Sequence, residues 1–518
     1  MELIRCFHEK KADIRFQDGG LPHVIGVCNY QVVRASRDRE YAPEGRGFTY
    51  NHAPMLAYWQ GYFLYEYLAG PKGEHETPSA VYLCKSGDGI HWEQPVEIFP
   101  PCDIGILPYR GPGKELVSGD RIGLVAHHRM GFYTTSQNRL LVSTFYGICP
   151  SPHIKPNNGY GVGRVVREIY ADFTMSDIYF LRYNTQGGYN RENVDLFRPC
   201  EECPDDGFVE ACRELLEDRA ATWQWWEEER LDRDFFPCAG GAALAYYTLP
   251  DHAQYIRGIT EANRRPQDTG MWIAYSVNKE DMWIARVPVP VRTQWKGPVC
   301  DDMDRMEEEE LRNIWNLYVP SWGGAGLEEQ KGKRRLHLWD EDLYNRTRAE
   351  RVFEESGRVE IRLSLTVEHV YRDRIMLGVE SGDGRRLFTL VWKADGEAAV
   401  RTGGRDRRLG GYTPGLESDY AITIDCRECT YEVVMTQGNR EYREGGALGA
   451  AADSAGRLVI ATKYDLPFQG PEVNGRDGDI GDLPGADRPV ERNSVYISRL
   501  EAQISVVCSS LDFGDQKR

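Results

Sequence analysis

Tyr82-Leu-Cys-Lys-Ser-Gly-Asp88-Gly-Ile-His-Trp92 is the stretch that decides the fold, because it joins a strand-like run to a tight, glycine-containing turn. Tyr275-Ser-Val-Asn-Lys-Glu-Asp281-Met-Trp283 repeats its spacing: a strand tyrosine, an aspartate six residues later and a following tryptophan. From about residue 20 onward, other short runs rich in β-branched and aromatic residues alternate with Gly, Asn, Asp and Pro. Short strands at near-regular spacing are typical of a sandwich, a barrel or a propeller.

The length of this strand-rich region favours a propeller. A four-stranded blade takes about 40 to 50 residues, so residues 1–340 have room for about seven blades. After residue 345 the pattern changes, and Val359-Glu-Ile-Arg-Leu-Ser-Leu-Thr-Val367 alternates apolar and polar residues. Strands of period two with one solvated face suit an antiparallel sandwich. We therefore predict an all-β protein with a seven-bladed β-propeller over 1–340 and a lectin-like, jelly-roll β-sandwich over 345–510.

One segment departs from the β pattern. Apolar residues recur at helical spacing between Asp206 and Arg219, which predicts a helical insertion near residues 206–231. Its tryptophan-rich end contains Trp223, Trp225 and Trp226. These rings are predicted either to stack on a sugar or, more simply, to pack on the propeller.

The net charge and the composition of the chain disfavour some classes of partner. The formal net charge of -17 disfavours nucleic acid and anionic membranes as partners. No apolar stretch is long enough to span a bilayer. The segment Met1-Glu-Leu-Ile-Arg5 lacks the basic and apolar regions of a secretion signal, so a cytoplasmic protein is expected unless a leader has been trimmed.

Cysteine spacing gives little support for a metal site. The chain has 13 cysteines, and the close pairs are Cys200 with Cys203 and Cys426 with Cys429. A four-cysteine zinc site would require these two distant pairs to meet in space. Reduced thiols are the preferred interpretation. No cofactor is expected, although a structural calcium ion under the propeller is left open.

Candidate catalytic residues cluster around one glycine-rich strand. Gly159-Tyr-Gly-Val-Gly-Arg164-Val-Val-Arg167-Glu-Ile169 carries two arginines, and because they are three apart on a strand, at most one should reach a central pocket. Tyr146 closes the preceding strand, and His52 and His75 lie upstream. A guanidinium neutralises a carboxylate, while imidazole or phenol transfers a proton. The structural alternatives remain open: a histidine bonded to a loop carbonyl, an exposed histidine, or a tyrosine at the edge of the core.

Several stretches together resemble a set of propeller-fold carbohydrate enzymes: the ulvan lyases, the rhamnose–glucuronate lyases acting on gum arabic, and related exo-α-L-rhamnosidases, which are often grouped with sialidases. The resemblance covers roughly residues 20–330. It is carried by Tyr50-Asn-His-Ala-Pro54, His75-Glu-Thr-Pro78, Tyr146, Gly161 to Ile169 and Ser276 to Trp283.

The resemblance implies that His52, His75, Tyr146 and Arg164 are catalytic. The arginine would clamp the carboxylate of a uronic acid, and tyrosine and histidine would share the base and acid roles of a β-elimination. The longer loop before the arginines leaves open whether Arg164 or Arg167 is the clamp. The predicted substrate-binding residues are Arg167, His128, Arg219 and Lys279.

The stretch Ser86-Gly-Asp88-Gly-Ile-His-Trp92 also resembles the Asp-box turn of sialidases, one residue shorter than usual. In that motif the aspartate caps a hairpin and the tryptophan packs between blades. Asp88 and Trp92 are therefore predicted to have structural roles.

These observations predict an exo-acting lyase that cleaves a uronic-acid-containing oligosaccharide or polysaccharide, most like the enzymes that cut rhamnose from glucuronate by β-elimination. A glycoside hydrolase on the same scaffold, either an α-L-rhamnosidase or a sialidase-like enzyme, is the first alternative. A non-catalytic glycan-binding propeller is the second. The oligomeric state and the role of the C-terminal domain are not predicted.

Overall fold

A computed structural model describes residues 23–36, 48–71, 73–105, 121–149, 156, 160–185, 187–222, 225, 253–260, 270–343, 345–371, 375–402, 404–464 and 488–504. The chain divides into two compact units. Tyr30–Ala285 is the main part of the N-terminal unit, and Arg286–Phe468 is the main part of the C-terminal unit. None of the helices among the described residues has the length and apolar character that a membrane crossing requires.

The N-terminal unit contains a four-stranded antiparallel sheet in the order β2-β3-β4-β5. Its first two strands meet in a two-residue turn, where Gln60 and Gly61 have φ of 49° and 85°. Two consecutive positive φ values define the tight turn that matches the twist of a hairpin. The first five strands are β1 (Cys28–Val33), β2 (Tyr50–Trp59), β3 (Tyr62–Gly70), β4 (Ala80–Ser86) and β5 (Val96–Phe99).

A second sheet of this unit has the order β11-β10-β9-β8-β7-β6. Its strands are β6 (Cys102–Gly105), β7 (Arg121–Thr134), β8 (Leu140–Ile148), β9 (Gly161–Ile169), β10 (Tyr179–Tyr183) and β11 (Arg198–Pro199). On one face of this second sheet, Leu124, Leu140 and Val142 pack in a shared core with Leu64 and Leu68 of β3. The side chains of β3 and β9 therefore approach each other within one interior.

Helix α1 (Asp206–Glu217) covers the other face of this second sheet. The side chain of Asp205 accepts hydrogen bonds from the backbone N–H groups of Gly207 and Phe208, which caps the helix. The apolar side of α1 packs with the strands through Phe208, Cys212, Leu215, Leu141 and Val166. A short helix, α2 (Arg219–Thr222), follows. The predicted insertion is helical up to this point, and residues 226–231 lie outside the described residues.

The third sheet of the N-terminal unit includes β12 (Ala253–Thr260), β13 (Gly270–Val277), β14 (Asp281–Pro288) and β1 as consecutive neighbours. Buried and half-buried residues alternate along β13, as expected for a strand with one face in the core. The described part of this unit thus has three sheets, and the count of seven blades stays a prediction.

The turn Ser86–Trp92 has the structural role predicted from the sequence. Asp88 Oδ1 accepts hydrogen bonds from the N–H groups of Ile90 and His91, each 2.8 Å long, and Gly89 adopts φ of 78°. The ring of Trp92 packs edge-on against Tyr65, with centroids 5.6 Å apart. Burial raises the pKa of Asp88, but the hydrogen bonds from His91 and Ile90 outweigh it, so the pKa falls to about 2.

The C-terminal unit consists of two antiparallel sheets. One has the order β16-β19-β28-β21-β22-β23-β24 and the other β17-β18-β29-β20-β25-β26-β27. Trp392 Nε1 on β22 donates a 2.8 Å hydrogen bond to the hydroxyl of Tyr420 on β25, which ties the two sheets together. Along β20 the residues Ile361, Leu363 and Leu365 are buried, as the predicted period-two pattern requires. The predicted β-sandwich is confirmed.

The remaining elements complete this unit. They are β15 (Val299–Asp302), α3 (Glu308–Ile314), β16 (Trp315–Val319), β17 (Gly323–Gln330), β18 (Lys333–Asp340), β19 (Arg348–Ser356), β20 (Arg358–His369), β21 (Ile375–Glu380), β22 (Arg386–Trp392), β23 (Glu397–Thr402), β24 (Arg405–Gly411), β25 (Glu417–Asp425), β26 (Thr430–Gln437), β27 (Arg440–Ala447), β28 (Ala455–Ala461) and β29 (Asn493–Ile504).

The boundary between the units differs from the one expected near residue 340. Strand β16 pairs with β19, and both β15 and β18 pair with β29. These strands contribute to the sandwich although they precede the predicted boundary. Their short apolar runs look the same in either domain, so the sequence pattern does not show which sheet they join.

We expect Asp88→Ala to lower the free energy of unfolding of the N-terminal unit by about 1 kcal/mol, because two backbone N–H groups lose their acceptor. The usual pKa of this carboxyl is 3.8, so its contribution is complete above about pH 4 and is lost as the pH falls towards 2. Urea denaturation at several pH values measures both effects. An unchanged midpoint at neutral pH would contradict the capping role, and Glu192→Ala, at an exposed acid of the same unit, is the control.

Candidate active site

His52 lies at an irregularity of β2, where the register with β3 shifts between His52 and Met55. The following residue, Ala53, has φ of 51°. The imidazole is fully buried, and its Nδ1 is 2.9 Å from the hydroxyl oxygen of Ser276 on β13. Tyr50 packs edge-on against the ring at 5.8 Å. These contacts fix the orientation of a histidine that the sequence singled out as catalytic.

Glu66 is a fully buried acid on β3 that was not predicted from the sequence. It lies between Met55 on β2 and Leu83 on β4. Among the described residues, neither of its carboxyl oxygens has a hydrogen-bond partner. Burial raises its pKa well above the usual 4.5, and the positive charge of Arg164 partly opposes this rise. Its signal in the sequence is one acid in the apolar strand Tyr62–Gly70.

Arg164 is fully buried on β9, opposite Phe145 on one side and Arg182 on the other. Its Nη1 donates a 3.1 Å hydrogen bond to the hydroxyl of Ser143. The guanidinium lies 4.1 Å from the ring centroid of Trp225, and the guanidinium of Arg182 lies 5.4 Å from the same centroid. Trp225 thus stacks on two cations. The other predicted platforms, Trp223 and Trp226, lie outside the described residues.

Arg167 points away from this cluster, in agreement with the expectation that the two arginines face opposite sides. Its guanidinium donates to the backbone carbonyls of Ile98, at 2.9 Å, and Ser176, at 3.1 and 2.5 Å. Burial lowers its pKa. These contacts give Arg167 a scaffold role, so its predicted part in substrate binding has no support from the geometry and stays a prediction.

The side chain of Tyr146 is also hydrogen-bonded to the backbone. Its fully buried hydroxyl donates a 2.5 Å hydrogen bond to the carbonyl oxygen of Pro100. Burial, followed by the nearby thiol of Cys102, raises its pKa well above the usual 10. A phenol in this state is a poor base at neutral pH. The catalytic role predicted for Tyr146 is therefore the least supported of the four.

The remaining predicted residues are dispersed. Lys279 follows β13, and its Nζ is 3.2 Å from Glu74 Oε2, next to the half-buried His75. Arg219 is exposed at the start of α2. The backbone of His128 belongs to β7, and its side chain lies outside the described residues. The predicted roles of these four residues stay predictions.

Thiols and acids in the described part of the chain do not form a metal site. The ten cysteines described there are free, and no group of three His, Cys, Asp or Glu residues could hold an ion. The pairs Cys200 with Cys203 and Cys426 with Cys429 belong to different units. The expectation that no cofactor is needed stays a prediction.

Three kinds of chemistry are present in this unit: Arg164 and Arg182 lie on the ring of Trp225, Glu66 is within electrostatic reach of Arg164, and His52 lies on the strand next to that of Glu66. A guanidinium can bind a carboxylate, an imidazole can exchange a proton, and a buried carboxyl can hold one at neutral pH. The sequence predicted His52 and Arg164. It missed Glu66 and Arg182, because their significance depends on which strands face each other.

Comparisons with known proteins agree with this architecture. A family model described as a BT_1020-like, N-terminal beta propeller matches residues 2–241, and one described as a sialidase-like, CBM domain matches residues 315–445. A solved structure described as a sialidase is similar over 96% of this chain and 54% of its own, with a TM-score of 0.83 and 26% sequence identity. The chain thus spans about half the length of that protein.

Other comparisons add nothing to the argument. Lectin I from Ulex europaeus has a TM-score of 0.27 and 7% identity, over 40% of this chain and 98% of its own. A carbohydrate esterase from bacteriophage phi24B has a TM-score of 0.28 and 12% identity, over 40% of this chain and 99% of its own. Both scores are too low for a conclusion. No curated protein matches the chain.

The fold is that of a sialidase-like β-propeller. More particularly, residues 2–241 are similar to the BT_1020-like, N-terminal beta propeller and residues 315–445 to the sialidase-like, CBM domain. The predicted fold class, a β-propeller followed by a β-sandwich, is therefore confirmed. The resemblance to sialidase-like carbohydrate proteins is confirmed at this level.

Replacing Tyr146 by phenylalanine tests whether its hydroxyl is structural. Because Tyr146→Phe leaves the Pro100 carbonyl without its donor, we expect the free energy of unfolding to fall by about 1 kcal/mol. Chemical denaturation measures this loss. Tyr62→Phe, which changes a half-buried tyrosine of the same unit, is the control. Equal stability of Tyr146→Phe and the unmodified protein would contradict the assignment.

Proposed function

We propose that the chain is a carbohydrate-active enzyme that cleaves a glycosidic bond at a sugar carrying a carboxylate. The observation that carries this proposal is the buried guanidinium of Arg164, which is held by Ser143 and Trp225 beside Arg182. Like charges on directly opposed strand positions destabilise a sheet. Two guanidiniums on one aromatic ring form a cationic platform that suits an anionic group of a ligand.

His52 supplies the proton transfer in this proposal. The hydroxyl of Ser276 fixes Nδ1, so the imidazole has one orientation and proton exchange is assigned to Nε2. In this proposal Arg164 binds the substrate carboxylate and His52 exchanges a proton with the sugar. General acid or base assistance from one positioned group contributes about 10²–10⁴-fold to a rate.

Hydrolysis is the reaction that these observations support best. The similarity to a sialidase structure favours a hydrolase. The β-elimination predicted from the sequence requires a base beside the sugar carboxylate, and the phenol of Tyr146, bound to Pro100, is poorly suited to that role. Elimination is the second candidate, because an imidazole such as that of His52 and a guanidinium such as that of Arg164 also suit proton removal next to a neutralised carboxylate.

The C-terminal unit supports a glycan as substrate. Its match to a sialidase-like CBM domain suggests that it contacts the same polymer. In this proposal the substrate is an acidic oligosaccharide or polysaccharide, with uronic acids as the predicted class. We also propose a cytoplasmic location, in keeping with the ten described cysteines, all of which are free thiols.

Replacing Arg164 by methionine tests the carboxylate clamp. On a panel of glucuronides, sialosides and rhamnosyl-glucuronates, we expect Arg164→Met to lower kcat/KM by at least about 100-fold, because a charged group loses its partner at the bound substrate. The control is Arg198→Met, which removes another arginine stacked on an aromatic ring of the same sheet, Tyr179. Equal losses in both variants would contradict a specific role for Arg164.

Analysis of the products separates the two reactions. Hydrolysis adds water and leaves a saturated acidic sugar, whereas elimination leaves a double bond that absorbs in the ultraviolet. We expect a saturated product from the substrate that is cleaved. An unsaturated product would replace hydrolysis by elimination, and binding of the panel without turnover would favour a non-catalytic glycan-binding propeller.

A further inference from the structure

A chain of hydrogen bonds joins a serine, a histidine and a glutamate in the C-terminal unit. His337 Nε2 is 2.9 Å from the hydroxyl oxygen of Ser494, and His337 Nδ1 is 2.5 Å from Glu328 Oε2. Both distances lie within the reach expected between a nucleophile, its base and the group that orients the base. The candidate site of the N-terminal unit contains none of these three residues.

Three neighbouring strands bring the three side chains together. In the register of β18 with β29, His337 is opposite Tyr496, so Ser494 is its diagonal neighbour. In the register of β17 with β18, Glu328 is opposite Arg335 and is likewise diagonal to His337. Residues two apart on a strand share a face, and diagonal neighbours are within reach of long side chains. Regular sheet geometry thus places the serine and the glutamate on opposite sides of the imidazole.

The imidazole of His337 is fixed in orientation. Its ring stacks on that of Tyr496, with centroids 4.0 Å apart and planes 9° apart, and it is 6% exposed. Because the carboxylate of Glu328 accepts from Nδ1, the neutral ring leaves Nε2 as an acceptor that faces the hydroxyl of Ser494. This is the state in which an imidazole takes the proton of a serine.

The charges around His337 also favour a neutral ring. Burial lowers its pKa, and the acids that oppose this fall are Glu328 on β17 and Glu368 on β20. The positive charge of Arg492, which precedes β29, lowers the pKa further. Arg335, on the same strand as His337, pairs with a glutamate of β25 at 3.3 Å. His337 is therefore a base that can accept a proton near neutral pH.

Glu368 is an exposed side chain that contacts the buried serine. Its Oε2 accepts a 3.3 Å hydrogen bond from Ser494, which is 2% exposed, and its Oε1 accepts one of 3.4 Å from Gln330. Both bonds are long for hydrogen bonds in proteins. A carboxylate held in this way can move aside, and its movement would give a substrate access to the serine.

We propose that Ser494, His337 and Glu328 form a second catalytic site, which hydrolyses small acyl esters such as the O-acetyl groups of a glycan. The oxygen of Ser494 bonds to the ester carbonyl carbon and gives its proton to His337 Nε2, which passes it to the departing sugar oxygen. Water, deprotonated by the same imidazole, then cleaves the acyl-serine and releases the acid. Ser494 and His337 are the catalytic residues, and Glu328 is a positioning residue that acts through His337.

A small ester suits this site better than an amide. An alcohol leaves more readily than an amine, so an ester needs less stabilisation of the oxyanion than a peptide bond does. Ser494 lies within β29 and pairs with strands on both sides, so the approach is over a sheet face and suits a short acyl group. The choice of a sugar as the alcohol rests on the proposed function, whereas the ester chemistry does not depend on it.

Hydrolysis of p-nitrophenyl acetate and of acetylated glucuronoxylan tests the activity. We expect Ser494→Ala and His337→Gln each to lower kcat/KM by at least about 100-fold. Ser418→Ala is the matched control, since Ser418 is a buried serine of the same unit that accepts a 2.8 Å hydrogen bond from Gln437. Arg164→Met should keep the esterase activity, so failure of the propeller site and failure of this site are distinguishable. Full ester hydrolysis by Ser494→Ala would overturn the proposal.

A fluorophosphonate, which bonds covalently to activated serines, tests the nucleophile directly. Mass spectrometry of the digested protein locates the label, and we expect it at Ser494. Labelling should be about tenfold faster in Glu368→Ala, because the serine loses one competing hydrogen bond and the side chain that contacts it. The absence of label at Ser494 from both proteins would overturn the proposal.

Glu328→Gln tests the positioning role through the pH profile of ester hydrolysis. The rate rises with pH as His337 loses its proton, and the carboxylate of Glu328 raises the pKa of that histidine. We therefore expect Glu328→Gln to reach half of its maximal rate at a lower pH and to have a kcat lower by about tenfold or more. Thermal unfolding checks that the variant is folded. An unchanged pH profile would contradict the positioning role.

Discussion

A buried guanidinium and a buried carboxyl, those of Arg164 on β9 and Glu66 on β3, are the constraint on which this structure depends. Removing a charged group from water costs several kcal/mol, and a close ion pair is the usual compensation. Here Arg164 is supported by Ser143 and by the ring of Trp225, and Glu66 is surrounded by apolar side chains. Burial raises the pKa of Glu66 well above its usual value and favours the neutral acid, while Arg164 provides a guanidinium, the kind of group that binds a carboxylate.

The β architecture makes this arrangement possible. His52, Glu66, Arg164 and Ser276 come from β2, β3, β9 and β13, which belong to three different sheets of the N-terminal unit. Nearby residues that point elsewhere serve the scaffold. Arg167 on β9 donates to the backbone carbonyls of Ser176 and Ile98, and Tyr146 on β8 donates to that of Pro100. The same short segments thus provide both the reactive groups and the contacts that hold them.

The sequence could predict features that depend on local pattern. Alternation along Val359–Val367 indicated a sandwich strand, the turn at Asp88 was identified from its spacing, and the opposite orientation of Arg164 and Arg167 followed from strand geometry. Features that depend on contacts between distant segments could not be predicted from the sequence. The electrostatic surroundings of Glu66 include Arg164 of another sheet, and the hydroxyl of Tyr146 donates a hydrogen bond to Pro100 of a preceding segment. Strands β15 to β18 join the sandwich through pairing that their composition does not specify.

The protonation state of Glu66 at neutral pH is the measurement that tests this account most directly. Infrared difference spectra of the unmodified protein and Glu66→Gln report the carbonyl stretch of a protonated carboxyl separately from the stretches of a carboxylate. The account predicts that a protonated-carboxyl band is present in the unmodified protein at neutral pH and absent from the variant. A difference spectrum that contains only carboxylate bands would show that Glu66 is ionised, and the neutral state assigned to this buried acid would then be wrong.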